Sequence, residues 1–235
     1  LSGGLADHCQ LVKGTTLIKL PAGLADEVAA PASCATATVA GACRVAGIGD
    51  GMTVLVQGAG MLGLTAVAMA RQLGAREVLV SDLDPARLAR AEQFGATGTV
   101  LASDAEQLQR IVQSVGELDG VDVALELSGS PAACEQGLAQ LRTGGVMVLV
   151  GTVFPTGPFA VDPETVVRRC QRIEGLHNYC PIDLVKAISF LEQCSCQQEL
   201  AGLVEQVLPL SDVEAAFQVA KESGFYRVGV APGRG

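Results

Sequence analysis

The chain has 235 residues, of which 49% are hydrophobic, 17% charged and 3% aromatic, and its formal net charge is −9. This composition is typical of an α/β protein with a large core, because parallel strands covered by helices on both faces are apolar. The negative charge and the absence of Trp argue against a nucleic-acid partner, which needs a basic surface and stacking platforms. No apolar run reaches the roughly 18 residues that a membrane span needs, so we expect no membrane partner.

The eight cysteines form neither a CxxC pair nor a regular framework. In a core-rich chain, such spacing is typical of mostly reduced, small buried side chains, which predicts a cytoplasmic protein. The first residues resemble the middle of a protein rather than its beginning. Because the chain starts without methionine, a targeting segment could precede Leu1.

The first part of the chain predicts a small β unit followed by helices. Residues 9–12 and 16–20 are short β-type runs separated by turn residues, so we expect two strands of a separate, incomplete β unit. Residues 25–45 are rich in alanine and other small residues and predict helices. A turn containing Asp50 and Gly51 then leads to the first central strand.

A glycine pattern between two β-branched runs is the most informative motif. Residues 54–56 and 78–80 each predict a buried strand, and Gly58, Gly60 and Gly63 lie between them, where a helix begins. In this context the first glycine permits a tight turn, the second lets a pyrophosphate approach bare backbone, and the third lets the helix pack closely. The pyrophosphate would lie at the helix N-terminus, where free N–H groups favour negative charge.

An acidic residue indicates which cofactor this site would bind. Asp82 follows Gly63 by 19 positions (82 − 63), at the end of the second strand. A carboxylate there would bind the adenosine ribose hydroxyls and repel a 2′-phosphate, so we predict NAD. Met61 and Leu62, in the first helical turn, complete the predicted pyrophosphate contact. The alternative is a glycine-rich turn that binds no ligand.

Strands and helices alternate along the remaining chain. Asp84-Pro85, Asp104 and Ser130-Pro131 are typical helix starts, and the third of these helices is expected to end near Gly144. Further strands are predicted at residues 98–101, 121–127, 146–150, 172–176, 204–208 and 226–230. The fold class is therefore α/β, with a doubly wound, six-stranded parallel sheet of the Rossmann type. Ligands bind at the carboxyl ends of such strands, which predicts a site along one edge of the sheet.

The order of these pieces resembles the medium-chain dehydrogenase/reductase superfamily, which includes the zinc-dependent alcohol dehydrogenases. The matching stretches are residues 3–8, 20–24, the segment around Cys34, the glycine pattern, residues 82–96 and residues 226–228. The resemblance covers essentially the whole chain, but it begins inside the family's pattern. It implies that about the first third of a family member is not represented, including most of its zinc ligands. Residues 173–179 are also faintly similar to a branch associated with phosphonate breakdown.

The resemblance implies roles for further residues. Cys34 matches the third ligand of the catalytic zinc, and Thr38, one helical turn later, matches a residue that lies against the nicotinamide. The alternative for Cys34 is a small packed side chain. Other matches are Arg87 beside the adenosine ribose, Leu127, Ser128 and Thr152 on the nicotinamide side, and Arg227 at the pyrophosphate. The alternative for both arginines is a surface charge.

The resemblance also implies an organisation and an activity. Residues 1–30 would be a remnant of a GroES-like catalytic domain, residues 31–180 the dinucleotide-binding domain, and residues 181–235 closing elements that return to the catalytic domain. The expected activity is a zinc-dependent hydride transfer between a small alcohol and NAD, with an aldehyde or ketone as the product. This chain alone is expected to be inactive, and the expected assembly is a homodimer or homotetramer. The alternatives are a zinc-free enone or quinone reductase and a dinucleotide-binding fragment without turnover.

Overall fold

The structure is a computed structural model that describes residues 3–115 and 120–233. The chain divides into two compact units. The larger unit is Ala32–Cys194, and the smaller unit joins Leu1–Pro31 to Ser195–Gly235. The assignment of residues 1–30, 31–180 and 181–235 to catalytic, dinucleotide-binding and closing segments remains a prediction.

Elements are numbered along the whole chain. Among the described residues the strands are β1 Thr53–Gln57, β2 Glu77–Asp82, β3 Gly98–Leu101, β4 Val121–Glu126, β5 Leu141–Leu149, β6 Arg172–Gly175, β7 Val204–Pro209 and β8 Arg227–Ala231. The α-helices are α1 Asp26–Ala29, α2 Ala37–Ala46, α3 Met61–Gln72, α4 Pro85–Gln93, α5 Ala105–Val115, α6 Pro131–Gln140, α7 Pro163–Arg168, α8 Pro181–Gln193, α9 Gln197–Ala201 and α10 Val213–Glu222. A π-helical turn at Ala32–Thr36 precedes α2, and a 3₁₀ turn at Leu210–Asp212 precedes α10.

The larger unit is built on a parallel sheet. Within its described residues the strand order is β3-β2-β1-β4-β5-β6, and every neighbouring pair is parallel. The order reverses between β1 and β4, which makes their carboxyl ends the topological switch point. The predicted doubly wound Rossmann sheet is confirmed.

The core of the larger unit lies on both faces of this sheet. All five residues of β1 are buried, and Leu55, Leu79, Leu125 and Met147 on four different strands are at most 1% exposed. Crossover helices cover both faces of a parallel sheet, which is why these strands are continuous apolar runs rather than alternating ones. The carboxyl ends of the strands are thereby held in a rigid frame.

Two elements differ from the sequence-based prediction at the β5 side of the sheet. Helix α6 ends at Gln140 rather than near Gly144, and β5 starts at Leu141 instead of Val146. The reason is tertiary pairing, because Leu141 lies in register with Val121 and the register shifts before the next pair.

Asp84 and Pro85 begin α4 as predicted, and the Asp84 carboxylate accepts a hydrogen bond from Ala86 N–H at 2.8 Å.

The smaller unit contains a parallel pair, β7 and β8, with α10 packed on it and α1 against α9. The strands predicted at residues 9–12 and 16–20 are wrong, because the structure describes irregular backbone there. A β-strand requires a hydrogen-bonded neighbour, and within the described part of the chain these two runs pair with no strand. Their side chains are largely exposed, including Val12 at 77% and Leu17 at 71%.

Helices α2 and α8 are joined by an ion pair in the larger unit. Arg44 donates from Nε and Nη2 to the two carboxylate oxygens of Asp183 at 2.7 and 2.9 Å. Asp183 is completely buried and also accepts a hydrogen bond from Cys180 N–H at 2.9 Å. The hydrogen bond from Arg44 lowers the pKa of Asp183 below its usual value, and it raises the pKa of Arg44.

Among the described helices, none is both long and apolar enough to cross a membrane. In the same part of the chain, free thiols occur at Cys9, Cys34, Cys43, Cys134, Cys170 and Cys180. Cys194 and Cys196 are disulfide-bonded, so these cysteines are mostly but not entirely reduced. The expected burial is wrong for Cys9, Cys34, Cys170 and Cys180, which are exposed.

Candidate functional site

A cavity of about 670 Å³ opens at the carboxyl ends of β1, β2 and β4. Its volume is within the range of small-molecule sites in proteins. Its lining residues are Gln57, Gly58, Gly60, Ser81, Asp82, Leu83, Asp84, Arg87, Ala102, Leu127, Ser128, Ser130, Ala132, Ala133 and Gln136. The cavity therefore lies at the switch point, where the sequence predicts the ligand. Each lining residue belongs to the larger unit.

The glycine turn between β1 and α3 has the geometry that its sequence pattern requires. Gly58 has a φ of +96°, which is the left-handed region that glycine tolerates best. A Cβ built on Gly63 would lie 1.8 Å from the carbonyl oxygen of Gly58, so only glycine allows α3 to approach the turn this closely. At Gly60, by contrast, no described atom lies within 4 Å of such a Cβ, and this position faces open space in the cavity wall.

The Asp82 carboxylate connects the end of β2 to the glycine turn. Its Oδ2 accepts a hydrogen bond from Ala59 N–H at 2.6 Å, and its Oδ1 accepts one from Asp84 N–H at 2.9 Å. Asp82 also lines the cavity, so a ligand bound there would lie beside this residue. A second negative group, such as a 2′-phosphate, would be repelled at this position.

Arg87 lies on α4 and lines the same cavity as Asp82. Its Nε is 3.9 Å from an oxygen of Asp84, and the Arg87 side chain is 45% exposed. A cation in this position can compensate part of the negative charge of two neighbouring carboxylates. Its predicted contact with the adenosine ribose remains a prediction.

The loop after β4 forms the opposite wall. Leu127 and Ser128 both line the cavity, together with Asp82 and Arg87. Leu127 donates its backbone N–H to the carbonyl oxygen of Gln57 at 2.9 Å, which continues the β1–β4 pairing beyond the strands. The predicted nicotinamide-side role of Leu127 and Ser128 is not tested by this geometry.

Other predicted cofactor residues do not line this cavity. Met61 and Leu62 begin α3, where Met61 is buried and Leu62 half-buried. Thr152 lies in a separate cavity of about 300 Å³ with Phe154 and Pro155. Arg227 is the first residue of β8 in the smaller unit, and its role at a pyrophosphate stays a prediction.

The Cys34 segment is helical, as predicted for residues 25–45, but part of it is a π-helical turn rather than an α-helix. Cys34 lies in the π-helical turn and is exposed with a free thiol, whereas Thr38 lies in α2 and is 8% exposed. The positions between the two residues are therefore helical, but they span the change from the π-helical turn to α2. Their roles beside zinc and nicotinamide stay predictions.

The described residues do not form a complete zinc site. A catalytic zinc is held by about three protein ligands plus an open position. Across residues 3–115 and 120–233, no group of three or more His, Cys, Asp and Glu side chains could hold a metal ion. Cys34 can supply one thiolate, so further ligands would have to come from outside the described residues.

Several cavity residues were not predicted from the sequence. Gln57 ends β1 immediately before the glycine turn and is 1% exposed, and Gln136 projects from α6 and donates to Ala102 O at 3.0 Å. A polar glutamine at the end of an apolar strand is a sequence signal that could have predicted Gln57 as a site residue. Gln136 and Ala102 are 34 positions apart, and nothing in local spacing brings them together.

Comparison with known proteins connects this geometry to dehydrogenases. An L-threonine 3-dehydrogenase from Alteromonas mediterranea is 36% identical over 163 residues, covering 69% of this chain and 43% of the relative. A 5-exo-hydroxycamphor dehydrogenase from Pseudomonas putida is 30% identical over 222 residues, covering 93% of this chain and 62% of the relative. The crystal structure of an alcohol dehydrogenase from Thermotoga maritima superposes with a TM-score of 0.81 at 30% identity, covering 87% of this chain and 57% of that chain.

The chain thus spans between 43% and 62% of the length of these relatives. The family model described as "Zinc-binding dehydrogenase" matches residues 62–193, which is more than half of the chain and includes most of the Rossmann sheet. The similarity to the phosphonate-associated branch is not confirmed. The chain belongs to the zinc-binding dehydrogenase family, within the medium-chain dehydrogenase/reductase superfamily.

Proposed function

We propose that this chain binds NAD in the cavity at the switch point and is part of a zinc-dependent alcohol dehydrogenase. The observation that carries this proposal is the combination of an open backbone at Gly60, a tight contact at Gly63 and a carboxylate at Asp82. Bare backbone beside a helix N-terminus suits a pyrophosphate, and the acid suits an unphosphorylated ribose. The predicted contacts of Met61, Leu62 and Arg87 belong to the same proposal.

The proposed reaction is the oxidation of a small alcohol. The alcohol carbon loses a hydride and its oxygen loses a proton, which leaves an aldehyde or a ketone. NAD supplies the hydride acceptor when it is bound. The residues of this chain contribute by orientation, because holding the dinucleotide in one geometry removes much of the entropic cost of bringing two reactants together. The dehydrogenases named above support an alcohol as the substrate class.

Direct titration tests the proposed cofactor. NADH fluorescence is a clean readout in this chain, since it contains no Trp to transfer energy to the nicotinamide. We expect NADH to bind and NADPH to bind at least about tenfold more weakly, because Asp82 would face the 2′-phosphate. Absence of NADH binding to the folded chain would contradict the proposal.

The role of Asp82 has a separate test. Asp82→Asn removes the charge of a side chain that lines the cavity while keeping its size. We expect NADH affinity to fall by about tenfold and the preference for NADH over NADPH to shrink, because the repulsion of a 2′-phosphate is lost. Titration with both nucleotides measures the change, and a variant with unchanged preference would show that Asp82 does not select the cofactor.

Zinc content and turnover separate the remaining alternatives. The zinc-dependent hypothesis predicts about one tightly bound zinc per chain in the native protein. It also predicts that Cys34→Ser loses this zinc. A zinc-free native protein that reduces an enone or quinone would favour the reductase alternative. For this chain alone, we expect NADH binding without alcohol oxidation. Turnover by the chain itself would show that it contains a complete active site.

We also propose a homodimer formed through the outer edge of β6. This strand is the last of the sheet order, and within the described residues its only neighbour is β5. An exposed strand edge is a template for pairing with a second copy. Light scattering of the native protein would give twice the chain mass for a dimer and four times for a homotetramer. A monomer would contradict the proposed edge pairing.

We propose a cytoplasmic location for the native protein, supported by the free thiols of Cys9, Cys34 and Cys170 on exposed positions. Cell fractionation tests this proposal. Recovery of the protein from an oxidising compartment would contradict it.

A further inference from the structure

Glu126 is the last residue of β4, and the proposed cofactor contacts do not include it. Its side chain is completely buried. One carboxylate oxygen, Oε1, accepts hydrogen bonds from Ser128 N–H, the Ser128 hydroxyl and Gly129 N–H, each at 2.7 Å. The other oxygen, Oε2, is buried and has no hydrogen-bond partner in the part of the chain that the structure describes. The hydrogen bonds of this carboxylate therefore go to the loop that follows its own strand.

That loop is packed between two other strand-end loops. A Cβ built on Gly58 would lie 3.0 Å from Ser128 N and 3.1 Å from Ser128 Cα, so the β4 loop lies directly against the glycine turn. On its other side, a Cβ built on Gly151 would lie 2.5 Å from Gly129 N and 2.6 Å from Leu127 C. Backbone contacts this close leave the loop little room to shift.

The main chain of Glu126 strengthens the same arrangement. Its carbonyl oxygen accepts hydrogen bonds from Val150 N–H at 3.0 Å and Gly151 N–H at 2.9 Å. In the sheet register, Glu126 lies beside Gln57, the residue that precedes the glycine turn. One residue thus contacts the loop after β4 through its side chain and the loop after β5 through its backbone.

We propose that Glu126 is a positioning residue that shapes the dinucleotide site by holding the β4 loop against the glycine turn. This inference rests on the proposed function, since it concerns the same cavity. Hydrogen bonds to an ionised acceptor are shorter and stronger than neutral ones, so a carboxylate holds three donors of one loop better than a neutral side chain does. Without it, Ser128 would lose its fixed position in the cavity wall, and the N–H groups of Ser128 and Gly129 would need other acceptors.

Asp122 offers a matched control on the same strand. It lies near the opposite end of β4, where its carboxylate accepts hydrogen bonds from Thr53 N–H at 2.8 Å and from Arg142 Nε at 2.6 Å. Like Glu126, it is a carboxylate that binds a backbone N–H, but its partners Thr53 and Arg142 do not line the cavity, whereas Ser128, the partner of Glu126, does. Asp122→Asn therefore disturbs the stability of β4 without touching the proposed site.

The experiment compares NADH titrations of the full chain and three variants. Glu126→Met removes every acceptor at nearly constant size, and we expect its NADH dissociation constant to rise at least about tenfold. Glu126→Gln keeps one oxygen acceptor, and we expect it to stay within about threefold of the original chain. Asp122→Asn should leave the dissociation constant within about twofold, although it lowers the melting temperature.

Hydrogen–deuterium exchange distinguishes a local change at Ser128 and Gly129 from a general loss of stability. In the original chain and in Asp122→Asn, the N–H groups of Ser128 and Gly129 should exchange slowly, because they are hydrogen-bonded to a buried oxygen. In Glu126→Met they should exchange fast while the peptides of β1 remain protected. If Glu126→Met does not fold, the intermediate exchange expected at the same two groups in Glu126→Gln carries the test.

The possible outcomes separate this inference from the proposed function. If the original chain does not bind NADH, the proposed function is wrong, and the inference that rests on it is overturned as well. If it binds NADH and Glu126→Met binds as tightly as Asp122→Asn, the positioning role is overturned. The same conclusion follows if Ser128 and Gly129 stay protected in every folded Glu126 variant. Weak binding and fast local exchange in Glu126→Met alone would support the inference.

Discussion

The two ends of the parallel sheet use polar residues in opposite ways. At the amino ends, charged side chains are bound to other parts of the chain: Asp122 to Thr53 and Arg142, and Arg71 to the carbonyl oxygens of Ala75 and Arg76. At the carboxyl ends, Asp82 and Ser128 each accept a hydrogen bond from loop backbone but also line a cavity of about 670 Å³. The first arrangement closes the fold, and the second leaves surface available for a ligand.

The difference follows from how parallel strands end. The loops that leave the carboxyl ends at a switch point turn away in opposite directions, and the crevice between them is the space where ligands bind. At the amino ends the connecting segments return from the helices, and charged residues there can be satisfied within the protein. We therefore expect substitutions at the carboxyl ends to change ligand affinity and substitutions at the amino ends to change stability.

The largest effect is expected at Gly63, where one substitution should change both stability and ligand affinity. A Cβ in Gly63→Ala would lie 1.8 Å from the carbonyl oxygen of Gly58, so α3 or the glycine turn must move. We expect about 3 kcal/mol of lost stability, which is the upper range for overpacking, together with a loss of detectable NADH binding. Urea unfolding and NADH titration measure the two effects. A stable variant that binds NADH normally would contradict the geometry of this turn.

Gly60→Ala is the sharper test, because it separates affinity from stability. The backbone at Gly60 has a φ of −72°, which any residue can adopt, and the new Cβ would enter open space. We expect a change in unfolding free energy below about 1 kcal/mol. NADH affinity should nevertheless fall by at least about tenfold, because the methyl group would occupy the space proposed for the pyrophosphate. Unchanged affinity would place the pyrophosphate elsewhere.

The smallest effect concerns an ion pair that does not line the cavity, between Arg44 on α2 and Asp183 on α8. Because the pKa of Asp183 is lowered in the folded state, its carboxylate stabilises the fold above the pKa of the unfolded chain. This contribution should be lost as the pH falls below about 4 toward the folded-state pKa. We expect the melting temperature of Asp183→Asn to depend less on pH in this range than that of the original chain.

The NADH affinity of the folded protein is the control for the substitution of Asp183. At pH 7, Asp183→Asn should bind NADH as the original chain does, because neither Asp183 nor Arg44 lines the cavity. An acid range in which both proteins lose stability in parallel would show that other carboxylates dominate the acid response.

Much of the candidate site was predictable because its signals are local. The glycine spacing, the acid after the second strand and the helix start at Asp84-Pro85 each depend on neighbouring residues, and the structure describes the turn, the strand end and the cap there. The two strands expected at residues 9–12 and 16–20 failed for the opposite reason. Their residues have β propensity, but a strand exists only with a hydrogen-bonded partner, which propensity cannot supply.

The sequence by itself determined the alternation of strands and helices and the glycine turn, because buried strands, helix caps and tight turns require particular residues at short spacing. The tertiary structure alone decided how distant groups meet. Arg44 and Asp183 are 139 positions apart, and Gln57 and Ala133 are 76 apart, yet each pair is hydrogen-bonded. It also decided that the β4 loop lies between the glycine turn and Gly151, so that Glu126, a residue of an apolar strand, binds the wall of the cavity. Such contacts depend on strand order and loop packing, which no local pattern encodes.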